Sequence, residues 1–331
     1  MIDLSTNYMG LPLRNPLIIA SSGLTDSVEK IKELEKHGAA AVVIKSIFEE
    51  EITLEHEKML REEAPGRYKD DYLDYFDYRI KEENIARYYD LISAAKKSAD
   101  IPVIASINCK SSHEWTFYAK NFEKAGADAL ELNIFLLPSN FKRSNEENEK
   151  IYLDVAKKIT ESISIPVALK ISYFFSNLGT VIQRISETGI KGMVLFNRFY
   201  SPDIDIEKMK VTSANVFSNP GDFTIPLRWI AIMSKRVKCD LAASTGIHDG
   251  KTVIKQILAG AKAVHLASSI YKNGPSYLEK MLDEIKSWME KKGFGKLEDF
   301  RGKLSQSTTD DPSIYERIQF MRYFSDREDH L

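Results

Sequence analysis

Cysteine, histidine, long apolar runs and an excess of either charge are what this 331-residue sequence lacks. Two cysteines, Cys109 and Cys239, are too few for a disulfide scaffold, a four-cysteine zinc site or a self-contained iron–sulfur cluster, and free thiols fit a reducing compartment. No two of the six histidines have ligand spacing, so no metal site is expected. No apolar run approaches a membrane span, and the N-terminal stretch lacks the basic head and cleavage site of a secretory signal. These absences predict a cytoplasmic protein with no membrane contact. The 46 Lys and Arg against 48 Asp and Glu give a net charge of −2, without the basic excess on which nucleic-acid affinity draws. Glycine and proline are too scattered for a low-complexity or collagen-like chain. A hydrophobic fraction of 43% suffices for a sizeable core.

What is there is a repeated phrase: a helical segment ending in Gly, followed within a few residues by an apolar strand. It occurs as EKHGAAAVVIKS at Gly38, EKAGADALELN at Gly126, SETGIKGMVLFN at Gly189 and ILAGAKAVHLAS at Gly260. A glycine after the last helical turn supplies the cap with positive φ that lets the chain reverse. With LIIASSG, DIPVIASINC, SIPVALKIS and KCDLAAST the apolar strands number eight. Helical patterns separate them, over roughly 26–37, 82–99, 112–124, 146–162, 178–188, 224–236, 250–260 and 274–291. Eight nearly continuously apolar strands alternating with eight helices predict an α/β fold, a TIM (β/α)8 barrel. The competing open doubly wound sheet needs a glycine-rich dinucleotide loop, and ASSGLTDS matches it poorly.

We read residues 1–331 as a single barrel domain with a C-terminal extension over about 293–331, as an appended helix and an aromatic segment. Residues 1–16 are expected to form a hairpin that plugs the barrel bottom. Long βα loops follow strand 2, from Ser46 to Lys81, and strand 6, from Asn197 to Asp222. Both leave strand C-termini, the face on which barrel enzymes build their sites, so both are expected to act as lids. The Tyr68–Tyr78 aromatic cluster leaves open a cover over the site or a homodimer interface, and the acidic run Glu49–Glu63 reads as a solvated helical face.

The strand ends offer Ser21, Lys45, Ser46, Asn108, Cys109, Asn133, Lys170, Asn197, Arg198, Thr245, Gly246, Ser268 and Ser269. This set has no carboxylate pair of the glycosidase kind. Two lysines admit a Schiff-base aldolase reading, but lysines ringed by asparagines suit an electron-rich heterocycle better. The small-residue loops STGIHDGK and ASSIYKNG run into helices, where backbone N–H groups cradle a phosphate; plain helix caps are the alternative. His265, mid-strand, reads as a hydrogen-bonded barrel residue rather than a catalyst. His113 and His248 fall at helix starts, where they cap or touch phosphate. Cys239 reads as structural, and Cys109 as a small buried residue before a redox-active one.

The stretches LPLRNPLIIASSG, AVVIKS, INCK, ELN, VALKIS and STGI…AGAKAVHLASSIY, in this order, resemble the dihydroorotate dehydrogenase family of FMN-dependent barrels, over about residues 4–291. The resemblance implies an oxidoreductase of CH–CH groups with FMN as cofactor; the family activity converts dihydroorotate to orotate in pyrimidine biosynthesis. It places Ala20, Ser21, Lys45, Ser46, Asn108, Asn133 and Lys170 around the flavin, and Thr245, Gly246, Ser268 and Ser269 at its phosphate. It implies a small-molecule substrate and a soluble electron acceptor.

The departures lie on the substrate side. Where the family reads N-x-S-C-P-N, with Cys or Ser as base, this chain reads Asn133-Ile134-Phe135-Leu136-Leu137-Pro138-Ser139-Asn140. Aligning the prolines puts Leu137 at the base position and leaves Ser139 as a weak candidate beside Lys45 and Asn133. The family's N-S-M-G substrate loop is missing, and Asn197 is followed by Arg198, both read as substrate-binding. An altered substrate is therefore expected, and the alternative is a catalytically inactive flavin- or phosphate-ligand-binding barrel.

Overall fold

A computed structural model of the protein describes residues 2–48, 86–109, 112–198 and 201–316. Strands β1 (Thr6–Tyr8) and β2 (Leu11–Leu13) form an antiparallel hairpin. Eight parallel strands then make the barrel: β3 (Leu17–Ile19), β4 (Ala41–Val43), β6 (Val103–Asn108), β7 (Ala129–Asn133), β8 (Val167–Ile171), β9 (Gly192–Leu195), β12 (Asp240–Ser244) and β13 (Ala263–Leu266). Each pairs with the next, β13 pairs back to β3, and β4 pairs with β6, so the sheet closes. The two-residue β5 (Ile47–Phe48) continues the β4 position and pairs with the top of β6. These are the eight strands that the repeated phrase predicts, and the fold is a TIM (β/α)8 barrel.

The outer helices follow the expected pattern: α1 (Val28–Lys36), α2 over 86–98, α3 (Ser112–Lys124), α4 (Asn145–Thr160), α5 (Leu178–Ser186), α6 (Thr224–Met233), α7 (Gly250–Ala259), the short α8 (Ser268–Asn273) and α9 (Tyr277–Lys292). Local sequence sets their ends. Ser144 and Glu147 close a reciprocal capping box at the start of α4, and Gly38, Gly126, Gly189 and Gly260 all take positive φ where helix turns into strand.

Strand alternation splits the apolar side chains into two clusters. Leu17, Ile19, Val42, Leu130, Leu132, Leu169 and Leu266 face outward and pack under the helices. Ile18, Ala41, Val43, Ile104, Ala129, Ala168, Val194, Ala242 and Ala263 face the bore, where Tyr8, Met9 and Leu13 of the hairpin join them from below. The alanines make the room. Gly192 completes it, since a Cβ there would stand 2.6 Å from Met9 Cγ and 2.7 Å from Tyr8 Oη. The hairpin expected over residues 1–16 does plug the bottom of the barrel.

Three expectations meet a different structure or none. The appended helix is not formed over 293–316: Gly293 and Gly302 take positive φ, and the segment makes 3-10 turns at Leu297–Asp299 and Pro312–Tyr315. It is held by Phe294 and Phe300 against Trp288, and by Arg301 donating to Thr6 Oγ1 at 2.8 Å. The loop after the sixth strand carries a hairpin of its own, β10 (Pro202–Asp205) and β11 (Lys210–Ser213), which stands in solvent with Ile204, Met209 and Val211 exposed. The acidic run and the aromatic cluster of the loop after the second strand lie outside the described residues, as do residues 317–331.

Candidate functional site

At the C-terminal ends of the strands lies a cavity of about 350 Å3, walled by Ala20, Ser21, Lys170, Asn197, Arg198, Ser244, Thr245, Gly246, His265, Ala267 and Ser268. Its roof comes from the returning arm of the 197–222 loop, through Ser213, Asn215, Val216 and Ser218. That arm is tied down. Ser218 N donates to Ser268 Oγ at 3.0 Å, its hydroxyl meets His248 Nε2 at 3.0 Å, and Arg198 donates to the Asn215 and Val216 carbonyls. His248 thus braces the roof, while Asp249 caps α7. Arg198 spends two of its N–H groups on its own loop, so part of its charge goes to shaping the roof.

The remaining expected residues sort by distance from this cavity. Asn133 lies beside it, accepting from Asn197 Nδ2 at 2.6 Å. Ser46 links inward: its N–H donates to Ser21 Oγ at 2.8 Å, and its hydroxyl lies 2.6 Å from Ser106 Oγ. A chain of hydroxyls therefore ties the first three barrel strands together. Lys45 is half-buried between β4 and β5, and neither it nor Asn108 lines the cavity. Ser269 is fully buried, its hydroxyl without a partner among the described residues. Leu137, at the aligned base position, is 52% exposed, and Ser139 is exposed too. The structure therefore does not bring Ser139 into the cavity. Cys109 is buried, as its plainer reading expects. Cys239 is at the opposite end beside Asp240, its thiol pushed up to about 12 by burial.

One of the two phosphate-type loops has an unusual backbone. Thr245 takes φ 81° and Gly246 φ 76°. A positive φ is a true outlier for a β-branched residue, costing about 1–2 kcal/mol. Thr245 holds it by donating Oγ1 to the Phe196 carbonyl at 3.2 Å. Gly246 is required for another reason: a Cβ there would meet Phe223 N at 2.1 Å. Its missing side chain lets the roof-bearing loop come close, a role beyond the phosphate seat that the sequence suggests.

Beneath the cavity sit residues that strand-end reading misses. Glu131 is 1% exposed, with Oε1 4.0 Å from Lys170 Nζ and Oε2 3.6 Å from His265 Nδ1. The His265 ring meets Tyr8 edge-on at 6.3 Å. His265 is a barrel residue as expected, but neither ring nitrogen has a hydrogen-bond partner among the described residues. Burial raises the Glu131 carboxyl, with Lys170 pulling the other way. Burial, aided by Lys170, holds the His265 imidazole well below its usual value. The missed signal was in the alternation. Glu131 precedes Asn133 by two and His265 precedes Ala267 by two, so each faces the bore one layer lower.

Residues 3–289 match the sequence model of dihydroorotate dehydrogenase. The chain is 28% identical over 308 residues to the catalytic subunit of dihydroorotate dehydrogenase B (NAD(+)) of Thermoplasma volcanium, covering 91% of this chain and 98% of that protein. The proteins of that name from Methanocaldococcus jannaschii and Pyrococcus furiosus are 26% and 25% identical, over 87% and 91% of this chain and 94% and 98% of theirs. No helix among the described residues is long and apolar enough to cross a membrane, and no cluster of metal-ligating side chains occurs among them. A closed barrel, a polar cavity at its strand ends and a match over nearly the whole chain agree: this chain belongs to the dihydroorotate dehydrogenase family.

Proposed function

We propose that this protein is an FMN-dependent oxidoreductase acting on a carbon–carbon bond of a small molecule other than dihydroorotate. The observation that carries the flavin half is the composition of the cavity. Its lining presents the Lys170 ammonium, the Asn197 amide, the tight Thr245–Gly246 turn and the Ser268 hydroxyl, next to the buried Ser269 hydroxyl, which has no partner among the described residues. That donor set fits FMN. Lys170, Asn197 and Asn133 would face the ring, and the 245–246 and 268–269 loops its phosphate. Bound FMN would supply the hydride carrier, accepting a hydride when oxidised and giving one up when reduced.

The chain's own residues then do the following. Lys170 places a positive charge where a reduced ring carries negative charge. Asn197 and Asn133, bonded to each other, fix the orientation of one another's amides. The roof arm anchored by Ser218 excludes water. What the site lacks is a base at the expected place. A positioned base contributes about 10²–10⁴-fold to such a reaction, and the segment 134–140 offers only exposed Ser139.

Loss of that base favours a substrate whose conversion needs no proton abstraction there, such as an activated alkene that takes up a hydride. The same loss supports a second reading, a flavin-binding barrel without turnover. The relatives' description as catalytic subunits of NAD(+) enzymes supports a companion protein as the route for electrons.

Stopped-flow flavin bleaching tests the proposal. Slow or absent bleaching by dihydroorotate, with rapid reoxidation of photoreduced enzyme by an activated alkene, is the expected result. Fast bleaching by dihydroorotate that disappears in Ser139→Ala overturns it. Reoxidation by no acceptor would select the non-catalytic reading.

A further inference from the structure

Three polar side chains occupy the bore between the hairpin plug and the cavity floor: Tyr8, Glu131 and His265. Four of their atoms, Tyr8 Oη, Glu131 Oε1 and both ring nitrogens of His265, are buried without a hydrogen-bond partner among the described residues. Native interiors seldom leave several such atoms together. Stability does not explain them, because well-packed apolar residues commonly do as well as a buried ionisable pair, and the layer below is already alanine. Two features tie the cluster to the cavity. His265 and Lys170 line it, and Glu131 lies 4.0 Å behind the Lys170 ammonium.

We propose that Glu131, set by His265, is a proton store that controls how much of the Lys170 charge reaches the cavity. The inference rests on the flavin reading above. With Glu131 ionised, its carboxylate compensates the ammonium; with Glu131 protonated, the ammonium acts on the cavity uncompensated. Two-electron reduction of a bound ring that adds one proton to the ring leaves one negative charge. A second proton, from solvent, goes to the Glu131 carboxyl, so the electrons enter with two protons and the site keeps its net charge. Linkage makes this reciprocal: protonating Glu131 raises the ring's affinity for electrons by the factor by which reduction raises Glu131's affinity for the proton.

The groups that face Glu131 are consistent with this. Lys170 from β8 opposes protonation, and burial favours it. His265 from β13 stands at 3.6 Å with its imidazole held neutral. Tyr8 from the hairpin is raised well above its usual range by burial and then by Glu131, so it stays a phenol. Ser106, in the bore on the neighbouring β6, does not titrate. Glu131 touches no ligand position; it is a positioning and charge-setting residue acting through Lys170.

Infrared spectroscopy of the protonated carboxyl reads this apart from turnover. In flavin-free protein the band of a buried protonated carboxyl is expected to titrate above the ordinary carboxylate range and to vanish in the isosteric Glu131→Gln. In FMN-loaded protein, photoreduction is expected to strengthen the band and to take up two protons per electron pair, against one in Glu131→Gln. His265→Gln, which leaves the carboxyl in place, is expected to shift the pH at which the band appears. Equal proton uptake by wild type and Glu131→Gln overturns the proposal, and so does a flavin-free band that Glu131→Gln leaves unchanged. If FMN does not bind, the flavin reading fails and the redox coupling falls with it. The flavin-free titration then decides separately whether Glu131 holds a proton.

Discussion

The lower and upper halves of the bore are built on the same strands and differ in everything else. Below, Ala41, Ala129, Ala168, Ala242 and Ala263 leave space that Tyr8, Met9 and Leu13 fill. Above, Lys170 and Ser244 two residues further along their strands, and Asn133 and Ala267 four residues further, face the axis, and a cavity remains. A change from small apolar to polar side chains, repeated at the two-residue period, converts a packed core into a polar site within four residues of each strand. Burial stabilises the lower half, and the upper half holds groups that burial penalises. Glu131 and His265 mark the boundary.

Changes on either side of that boundary break or sharpen the contrast. The largest effect is expected from Gly246→Ala, where a Cβ meets backbone at 2.1 Å and φ is 76°. Strain and overpacking together cost about 3 kcal/mol, and the roof is displaced. A lower denaturation midpoint with loss of flavin from the purified protein is the expected outcome. Full flavin content would show that the roof contact is dispensable.

Next comes Lys170→Ala, which removes the cation beside a buried carboxylate. Breaking such a pair costs about 3 kcal/mol where the carboxylate must stay ionised. A raised folded-state affinity of Glu131 for its proton means the unfolded chain binds fewer protons above the ordinary carboxylate range. Stability therefore falls as pH rises, and it falls further in Lys170→Ala because Lys170 no longer opposes the shift. Chemical denaturation from pH 4 to 8 measures this; a pH-independent penalty would place the loss in packing instead. Where FMN is bound, the same variant is expected to lower its reduction potential.

Gly192→Ala is the lower-half counterpart of Gly246→Ala. Its Cβ would meet the side chains of Met9 and Tyr8 rather than backbone. A cost of about 1–2 kcal/mol with unchanged flavin content is expected. Loss of flavin here would mean that the two halves are not independent.

His265 gives the next effect. Its imidazole is held below the usual value, so the unfolded chain binds the extra proton, and stability falls as pH drops below 6.5. The slope is at most about 1.4 kcal/mol per pH unit. His265→Gln is expected to flatten that acid limb. The smallest effect is Tyr8→Phe, which deletes a buried hydroxyl without a partner among the described residues and is expected to stabilise by about 1 kcal/mol. A loss of stability would reveal a partner for that hydroxyl.

Much of this was legible in the sequence where one residue type has one physical use. Glycines ending helices and apolar runs starting strands located the eight barrel strands. The strand ends located most of the cavity, since Ser21, Lys170, Asn197, Arg198, Thr245, Gly246 and Ser268 all line it, with Ala20 added by the resemblance. What failed depended on the path of loops. Ser139 could not be placed from spacing, because the 134–140 segment turns outward and exposes Leu137. The role of Gly246 was hidden because the crowding atom, Phe223 N, belongs to a segment 23 residues earlier in the chain. Glu131 and His265 lay one layer below the level at which the strand ends were read.

The plug also sets an order of events. Thr6 Oγ1 donates to the Lys262 carbonyl, Met9 N donates to Asp240 Oδ2 at 2.9 Å, and Arg301 reaches back to Thr6. The 6–13 hairpin thus leaves the ribosome well before the residues that receive it exist. With synthesis at roughly 5–20 residues per second, about ten seconds or more pass before β12 and β13 follow. Throughout that interval Tyr8, Met9 and Leu11 lack the β9, β12 and β13 side of their packing, and the half-made sheet has open edges. Contacts of such sequence separation form late and slowly. The barrel can close fully on its plug only once β12 and β13 have been made, long after the hairpin that they hold.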